Sequence, residues 1–151
     1  MKGRNVIITG GNAGIGLATS IALAKKGANI YIVSRSKDKA EEALKIIVAE
    51  SGNQNVKYFL ANLSSQKSIR QLASEIKNEL SVIDVLINNA GGTFSDFALS
   101  EDGLEMTIAT NHFAYFLLTN LLLDLIKKSN YARIVNAVSY THLTLPTKRI
   151  V

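Results

Sequence analysis

This sequence predicts a doubly wound α/β fold, a parallel sheet with helices on both faces. Three observations carry that prediction. Short, almost unbroken apolar runs alternate with longer segments whose apolar residues recur at helical spacing. That alternation specifies parallel crossovers, and strands apolar at consecutive positions specify a sheet covered on both faces. The third observation is a glycine-rich turn, Thr9-Gly10-Gly11-Asn12-Ala13-Gly14-Ile15-Gly16, lying between the first apolar run and the first helical segment.

The elements follow in order. Asn5 to Thr9 reads as a strand ending in glycines, and Leu17, Ile21, Ala22, Leu23 and Ala24 then repeat as a helix. Asn29 to Ser34 is the second strand. Lys37 to Ser51 is the second helix, with Ala40, Ala43, Leu44, Ile47 and Val48 on one side and Gly52 as its stop. Val56 to Ala61 is the third strand, and Ser65 to Leu80 the third helix, with Ile69, Leu72, Ala73 and Ile76 inward. Val82 to Asn88 is the fourth strand. A glycine and polar loop runs through Gly103, then a long helical region reaches about Ser129, and Arg133 to Ser139 is the fifth strand. Phe113, Tyr115, Phe116, Leu117, Leu118, Leu121 and Leu122 nearly encircle the long helix. Such a helix is either buried in a larger core or part of a subunit interface between residues 112 and 128.

A chain of 151 residues with 47% hydrophobic and 19% charged side chains holds enough apolar material for one packed domain and is not a disordered tail. Cysteine is absent, which excludes a disulfide scaffold, a thiolate metal site and a cysteine nucleophile. With no signal-peptide core and no apolar run of membrane-spanning length, a soluble protein of a reduced, cytoplasmic compartment is expected. The net charge of +5 raises the possibility of nucleic-acid binding. Its distribution points elsewhere: residues 1 to 40 carry net +6, residues 41 to 139 net −3, and the last twelve +2. No basic stripe is interleaved with aromatics, so nucleic acid is not an expected partner, and the positive end coincides with the glycine loop.

That loop stands where it can hold a phosphate. Gly10 permits a tight turn, Gly14 removes a side chain so that backbone N–H groups approach a pyrophosphate, and Gly16 lets helix and strand pack closely. The helix N-terminus adds unpaired donors. A glycine turn without a ligand is the simpler alternative; its place in a strand, turn, helix unit favours a dinucleotide site.

The loop spacing, three residues between the first two glycines and one before the third, resembles that of the short-chain dehydrogenase/reductase family, TGxxxGxG. The resemblance covers residues 3 to about 139, and further motifs follow in the family's order. It implies a Rossmann fold, C-terminally incomplete with about five strands, in a dinucleotide-binding domain over residues 1 to 139. On the loop it places Gly10, Asn12, Gly14, Ile15 and Gly16 against the cofactor.

Cofactor choice is usually read about 20 residues beyond the loop, at the end of the second strand. Ser34-Arg35-Ser36 stands there, offering no carboxylate to repel a 2′-phosphate and a guanidinium to clamp one. NADP(H) is therefore the expected cofactor, with NAD second, unless Arg35 is only a solvated charge ahead of a helix. The family carries Asp-Leu or Asn-Leu against the adenine. Asn62-Leu63 matches it, although Asn62 suits a turn-forming role almost as well. Asn88-Asn89-Ala90-Gly91 matches the family's NNAG motif, with Asn88 expected to be structural and Asn89, Ala90 and Gly91 expected to meet the cofactor.

The family's reaction uses Asn, Ser, Tyr and Lys. Asn111 corresponds to the Asn whose backbone carbonyl holds a water of the proton relay, and Ser139 falls where the substrate-polarising Ser ends the fifth strand. The residue ahead of that Ser is usually small, and here it is Val138. The Tyr and Lys normally stand four apart on one helix, yet the residues four after Tyr31, Tyr58, Tyr115, Tyr131 and Tyr140 are Arg35, Asn62, Thr119, Val135 and Thr144. The run 140–151 departs from the family and resembles translated sequencing-adapter sequence, so Ser139 is either native or the start of a foreign tail. His142 reads as a loop residue, and no metal-site spacing joins it to His112.

These motifs predict the cofactor-binding half of an NADP(H)-dependent oxidoreductase whose parent moves hydride between nicotinamide and a carbonyl or alcohol. The alternative is a noncatalytic dinucleotide-binding or regulatory protein of the same fold. The run Asn111 to Thr119 looks like the retinol-dehydrogenase-like branch, which implies a lipophilic substrate.

Overall fold

The computed structural model describes residues 1–138; Ser139 and the run 140–151 lie outside the described residues. Its sheet has five parallel strands in the order β3-β2-β1-β4-β5. These are β1 (Asn5–Thr9), β2 (Asn29–Ser34), β3 (Val56–Leu60), β4 (Val85–Asn88) and β5 (Arg133–Asn136). Helices α1 (Gly14–Lys25), α2 (Lys37–Ser51) and α3 (Gln66–Glu79) make the first three crossovers. The fourth contains α4 (Met106–Ile108), a π-helical turn at Ala109–Phe113, and α5 (Ala114–Ile126).

Alternation along the strands sorts the apolar residues into two layers. Val6 and Ile8 of β1, Ile30 and Ile32 of β2, and Val85 and Ile87 of β4 pack with Ala24, Ala40, Ala43 and Ile47 of α1 and α2. Ile7, Tyr31, Val33 and Leu86 face the other way and pack with Ile69, Leu72 and Ile76 of α3 and Leu118, Leu122 and Leu125 of α5. Strands β1, β2, β3 and β4 thus supply apolar side chains to both layers or their margins, which is why their sequences show little polar alternation. Burial of residues such as Ile7 and Leu86 stabilises the fold by roughly 1.5–3 kcal/mol each.

Local chemistry sets the helix ends. The Ser36 hydroxyl accepts from the Lys39 N–H to start α2, the Ser65 hydroxyl does the same for Ser68 at α3, and Gly52 closes α2 in the left-handed region at φ 69°. Ser65 and Leu80, expected inside the third helix, are its two caps.

Other boundaries also differ from expectation. β4 begins at Val85 rather than Val82, although the Asp84 N–H already donates to Asn5 O at 3.0 Å. Ile83 is buried but donates to Leu125 O on α5 at 3.3 Å, so it belongs to the helical side of the junction. β3 ends at Leu60 rather than Ala61, and β5 ends at Asn136 rather than Ser139; Ala61 and Ala137 each donate one further bond to the neighbouring strand.

The encircling apolar pattern of α5 has two fates. Leu118, Leu122, Leu125 and Ile126 are buried, whereas Phe116 is 64% exposed. β5 is an edge strand, with exposed Ile134 and Val135. None of the helices among the described residues is long and apolar enough to cross a membrane.

Candidate functional site

The strand order reverses between β1 and β4, which leaves a crevice beyond their carboxyl ends. Thr9 holds the two ends together. Its hydroxyl, almost fully buried, accepts from the N–H groups of Asn89 and Ala90, both at 2.9 Å. The Asn89 side-chain amide returns the connection, donating to Thr9 O at 3.0 Å and Gly10 O at 3.4 Å.

The glycines divide the work. Gly10 adopts φ 65°, and a Cβ there would stand 3.0 Å from the Ala90 Cα. At Gly16 a Cβ would collide with the Gly10 carbonyl and come within 2.6 Å of Asn89 Nδ2, so this glycine permits the helix to approach the turn. Gly14 has φ 51° and open space where a Cβ would project. Gly11, to which the sequence assigned no role, would set a Cβ 2.5 Å from Ile32 Cγ2. Ser20, buried on α1, donates to Gly16 O at 2.8 Å.

The crevice opens into a cleft of about 670 Å³. Gly10, Asn12, Gly14, Ile15 and Gly16 line it from the loop, Arg35 from beyond β2, Asn62 and Leu63 from beyond β3, and Asn89, Ala90 and Gly91 from beyond β4. Every residue expected to face a cofactor is therefore on one wall or another. Lys39, Phe94, Met106 and Thr110 also line it and were not singled out from sequence. Lys39 had a usable signal, since it lies four residues beyond Arg35. For the other three only the fold supplies one.

Several polar side chains are already committed. Asn88 is fully buried, and its amide donates to Thr119 Oγ1 at 3.1 Å and Asn136 Oδ1 at 2.9 Å, tying β4 to α5 and β5. This is the structural role expected for it. Asn62 Oδ1 accepts from both the N–H and the hydroxyl of Ser64, at 3.1 and 2.8 Å, so it forms the turn ahead of α3. Its oxygen is engaged, while its amide nitrogen has no hydrogen-bond partner among the described residues.

Asn111 stands on the π-helical turn. Its Oδ1 accepts from the Gly92 N–H at 3.0 Å and its Nδ2 donates to Gly92 O at 2.9 Å, a two-bond clasp onto the loop after β4. Both polar atoms of its side chain are thereby engaged, each with capacity for one further bond. The turn is wide because the Ala114 N–H reaches back to Ala109 O. One turn further, burial pushes the Tyr115 phenol above its ordinary pKa, which keeps it protonated. Ser139 lies outside the described residues.

The lining suits a dinucleotide. Arg35 and Lys39 are its charged residues and both are cations. The Thr110 hydroxyl is buried on the cleft wall and has no hydrogen-bond partner among the described residues. Among the described residues no three His, Cys, Asp or Glu side chains cluster to hold a metal.

A family model described as short chain dehydrogenase matches residues 4–146. Human retinol dehydrogenase 13 is 45% identical over 143 residues, covering 95% of this chain and 43% of that relative. The chain thus spans less than half the length of this curated relative. A metagenomic short-chain oxidoreductase solved in complex with NADP superposes with a TM-score of 0.81 at 25% identity, covering 93% of this chain and 64% of that one. The Pseudomonas aeruginosa RhlG/NADP active-site complex gives 0.76 at 27% identity, covering 89% and 54%.

Proposed function

Because the chain belongs to the short chain dehydrogenase family, in its retinol-dehydrogenase-like branch, we propose that its cleft binds NADP(H) as the cofactor-binding half of an oxidoreductase. The observation that carries the reading is the cleft's charge. Arg35 stands just beyond β2, where a carboxylate would favour NAD, Lys39 lies in the first turn of α2, and no acid lines the cleft among the described residues. The two NADP-bound structural neighbours support it as well.

The backbone N–H groups of Asn12 to Gly16 would take the pyrophosphate, Arg35 the 2′-phosphate, and Leu63 with Ala90 and Gly91 would bracket the adenosine. The nicotinamide supplies the hydride exchange with a carbonyl or alcohol carbon. Asn111, its side chain held by Gly92, would offer its backbone carbonyl to a water, and Ser139 would polarise the substrate oxygen. Phe94 and Met106 on the cleft wall, with the retinol named for the human relative, support a lipophilic substrate. Exposed Phe113 and Phe116 support association of two copies through residues 112 to 128.

The test is a direct titration of the 151-residue chain with NADPH and NADH, following nicotinamide fluorescence. NADPH should bind at least about tenfold more tightly, the value of one charge-assisted phosphate contact. Equal affinities would overturn the NADP assignment, and no binding of either would overturn the cofactor role. A noncatalytic dinucleotide-binding protein of the same fold is the second reading. Turnover of a carbonyl substrate by this chain would eliminate it.

A further inference from the structure

We infer that Ser20 is a positioning residue of the phosphate site: its hydroxyl, beneath the glycine turn, fixes the Gly11–Asn12 peptide so that the Asn12 N–H faces the cleft. The inference rests on the dinucleotide reading and adds to it a residue that does not itself line the cleft.

Gly16, Ser20 and Ala24 are the buried residues of α1, spaced by four, so one stripe of the helix meets the sheet. Small side chains there allow close approach. Alanine would fill the middle position as well as serine, form helix more readily and bury no polar atom. What serine adds is its hydroxyl, and the hydroxyl has a specific place. It donates to Gly16 O at 2.8 Å, four residues back on its own helix, and reaches Gly11 O on the turn at 3.4 Å. One proton thus bridges the first turn of α1 and the second glycine of the loop.

Gly11 is buried between the two elements that frame it. A Cβ there would stand 2.5 Å from Ile32 Cγ2 on β2 and 3.1 Å from Ser20 Oγ on α1, and Gly11 does not line the cleft, whereas Asn12 does. Ser20 is the one hydrogen-bond partner of the Gly11 carbonyl among the described residues. Neighbouring carbonyls are held otherwise: those of Thr9 and Gly10 accept from Asn89 Nδ2, and that of Ala13 accepts from the Leu17 N–H at 3.1 Å.

In a trans peptide the C=O and the following N–H point opposite ways. Drawing the Gly11 C=O down onto Ser20 therefore turns the Asn12 N–H up, away from Ile32 and α1 and toward the cleft. Glycine has little torsional preference of its own, so this peptide needs an outside hold. A phosphate oxygen is best met by a donor already aimed at it, since no reorientation is then required on binding.

The test follows NADPH, with NADH alongside, into the isotope-labelled full chain and its Ser20→Ala and Ser20→Cys variants by amide NMR. In the unchanged protein the Asn12 amide should move downfield on saturation, as an N–H donating to a charged oxygen does, while the Leu63 amide on the wall beyond β3 reports the rest of the ligand. Ser20→Ala should weaken NADPH about three- to fivefold, within the value of one hydrogen bond, and shrink the Asn12 shift while sparing that of Leu63. Its melting temperature should be unchanged or raised, because alanine favours the helix. Ser20→Cys, close in shape but a weak donor, should fall between the two.

If neither NADPH nor NADH binds the unchanged protein, the dinucleotide reading fails and this inference with it. If binding occurs but Ser20→Ala leaves affinity and the Asn12 shift as they were, that reading stands and the role of Ser20 is overturned. A fall in melting temperature with equal loss at Asn12 and Leu63 also overturns it, because the hydroxyl would then only support the fold.

Discussion

Thr9 accepts two hydrogen bonds from Asn89: the Asn89 N–H donates to the Thr9 hydroxyl at 2.9 Å, and the Asn89 side-chain amide donates to the Thr9 carbonyl at 3.0 Å. The ends of β1 and β4 therefore form one unit. Any molecule resting on the glycine turn also rests on the segment after β4.

Thr9→Val keeps the shape and removes the hydroxyl, leaving the N–H groups of Asn89 and Ala90 without their acceptor. Chemical unfolding should show a loss of about 2–4 kcal/mol, and Thr9→Ser should recover most of it. A loss below about 0.5 kcal/mol would show that the strand ends are held by other contacts.

Gly16→Ala and Gly14→Ala should separate packing from conformation. A Cβ at Gly16 meets the Gly10 carbonyl, so that variant should lose stability and dinucleotide binding together. At Gly14 the space is open but φ is 51°, so the cost should be about 1–2 kcal/mol from backbone strain. Melting curves with and without NADPH would reverse this reading if Gly14→Ala proved the worse of the two.

Thr110→Val removes a buried hydroxyl that has no hydrogen-bond partner among the described residues. The free protein should be as stable as before or slightly more so, while affinity for the dinucleotide should fall about three- to tenfold, the net value of one hydrogen bond. Unchanged affinity would mean that the hydroxyl does not face the ligand.

Glu105 caps α4, accepting from the N–H groups of Thr107 and Ile108 at 2.8 and 2.9 Å, and these bonds hold its carboxyl below the ordinary glutamate pKa. A lowered folded-state value gives stability that is complete above the unfolded value, about 4.3, and lost as pH falls through the folded one. The melting temperature of the parent should therefore fall toward that of Glu105→Gln between pH 5 and pH 3. Parallel curves over that range would show that the cap contributes nothing.

Much of the architecture was legible because a parallel sheet imposes a simple grammar, and Ile7 beside Ile8 already says that both faces are covered. Strand ends were less so. Val82 and Ile83 are as apolar as the residues that follow, and only the bond from Ile83 to α5 removes them from β4. The glycine loop and the NNAG run announced the cleft, since each needs small residues at fixed places. The π-helical form of the turn at Asn111 was not legible, because no Gly or Pro marks residues 106 to 126 and the Asn111 side chain meets Gly92, nineteen positions away.

The π-helical turn at Ala109–Phe113 is, geometrically, one residue more than an α-helical path requires. Absorbing that surplus within a single turn avoids rotating everything downstream by about 100°, so Leu118, Leu122 and Leu125 keep their azimuth toward the sheet. A single-codon deletion inside this turn should yield a continuous helix that still packs, while Gly92 loses its clasp. The contact between Asn111 and Gly92 would then be separable from the packing of α5 against the sheet.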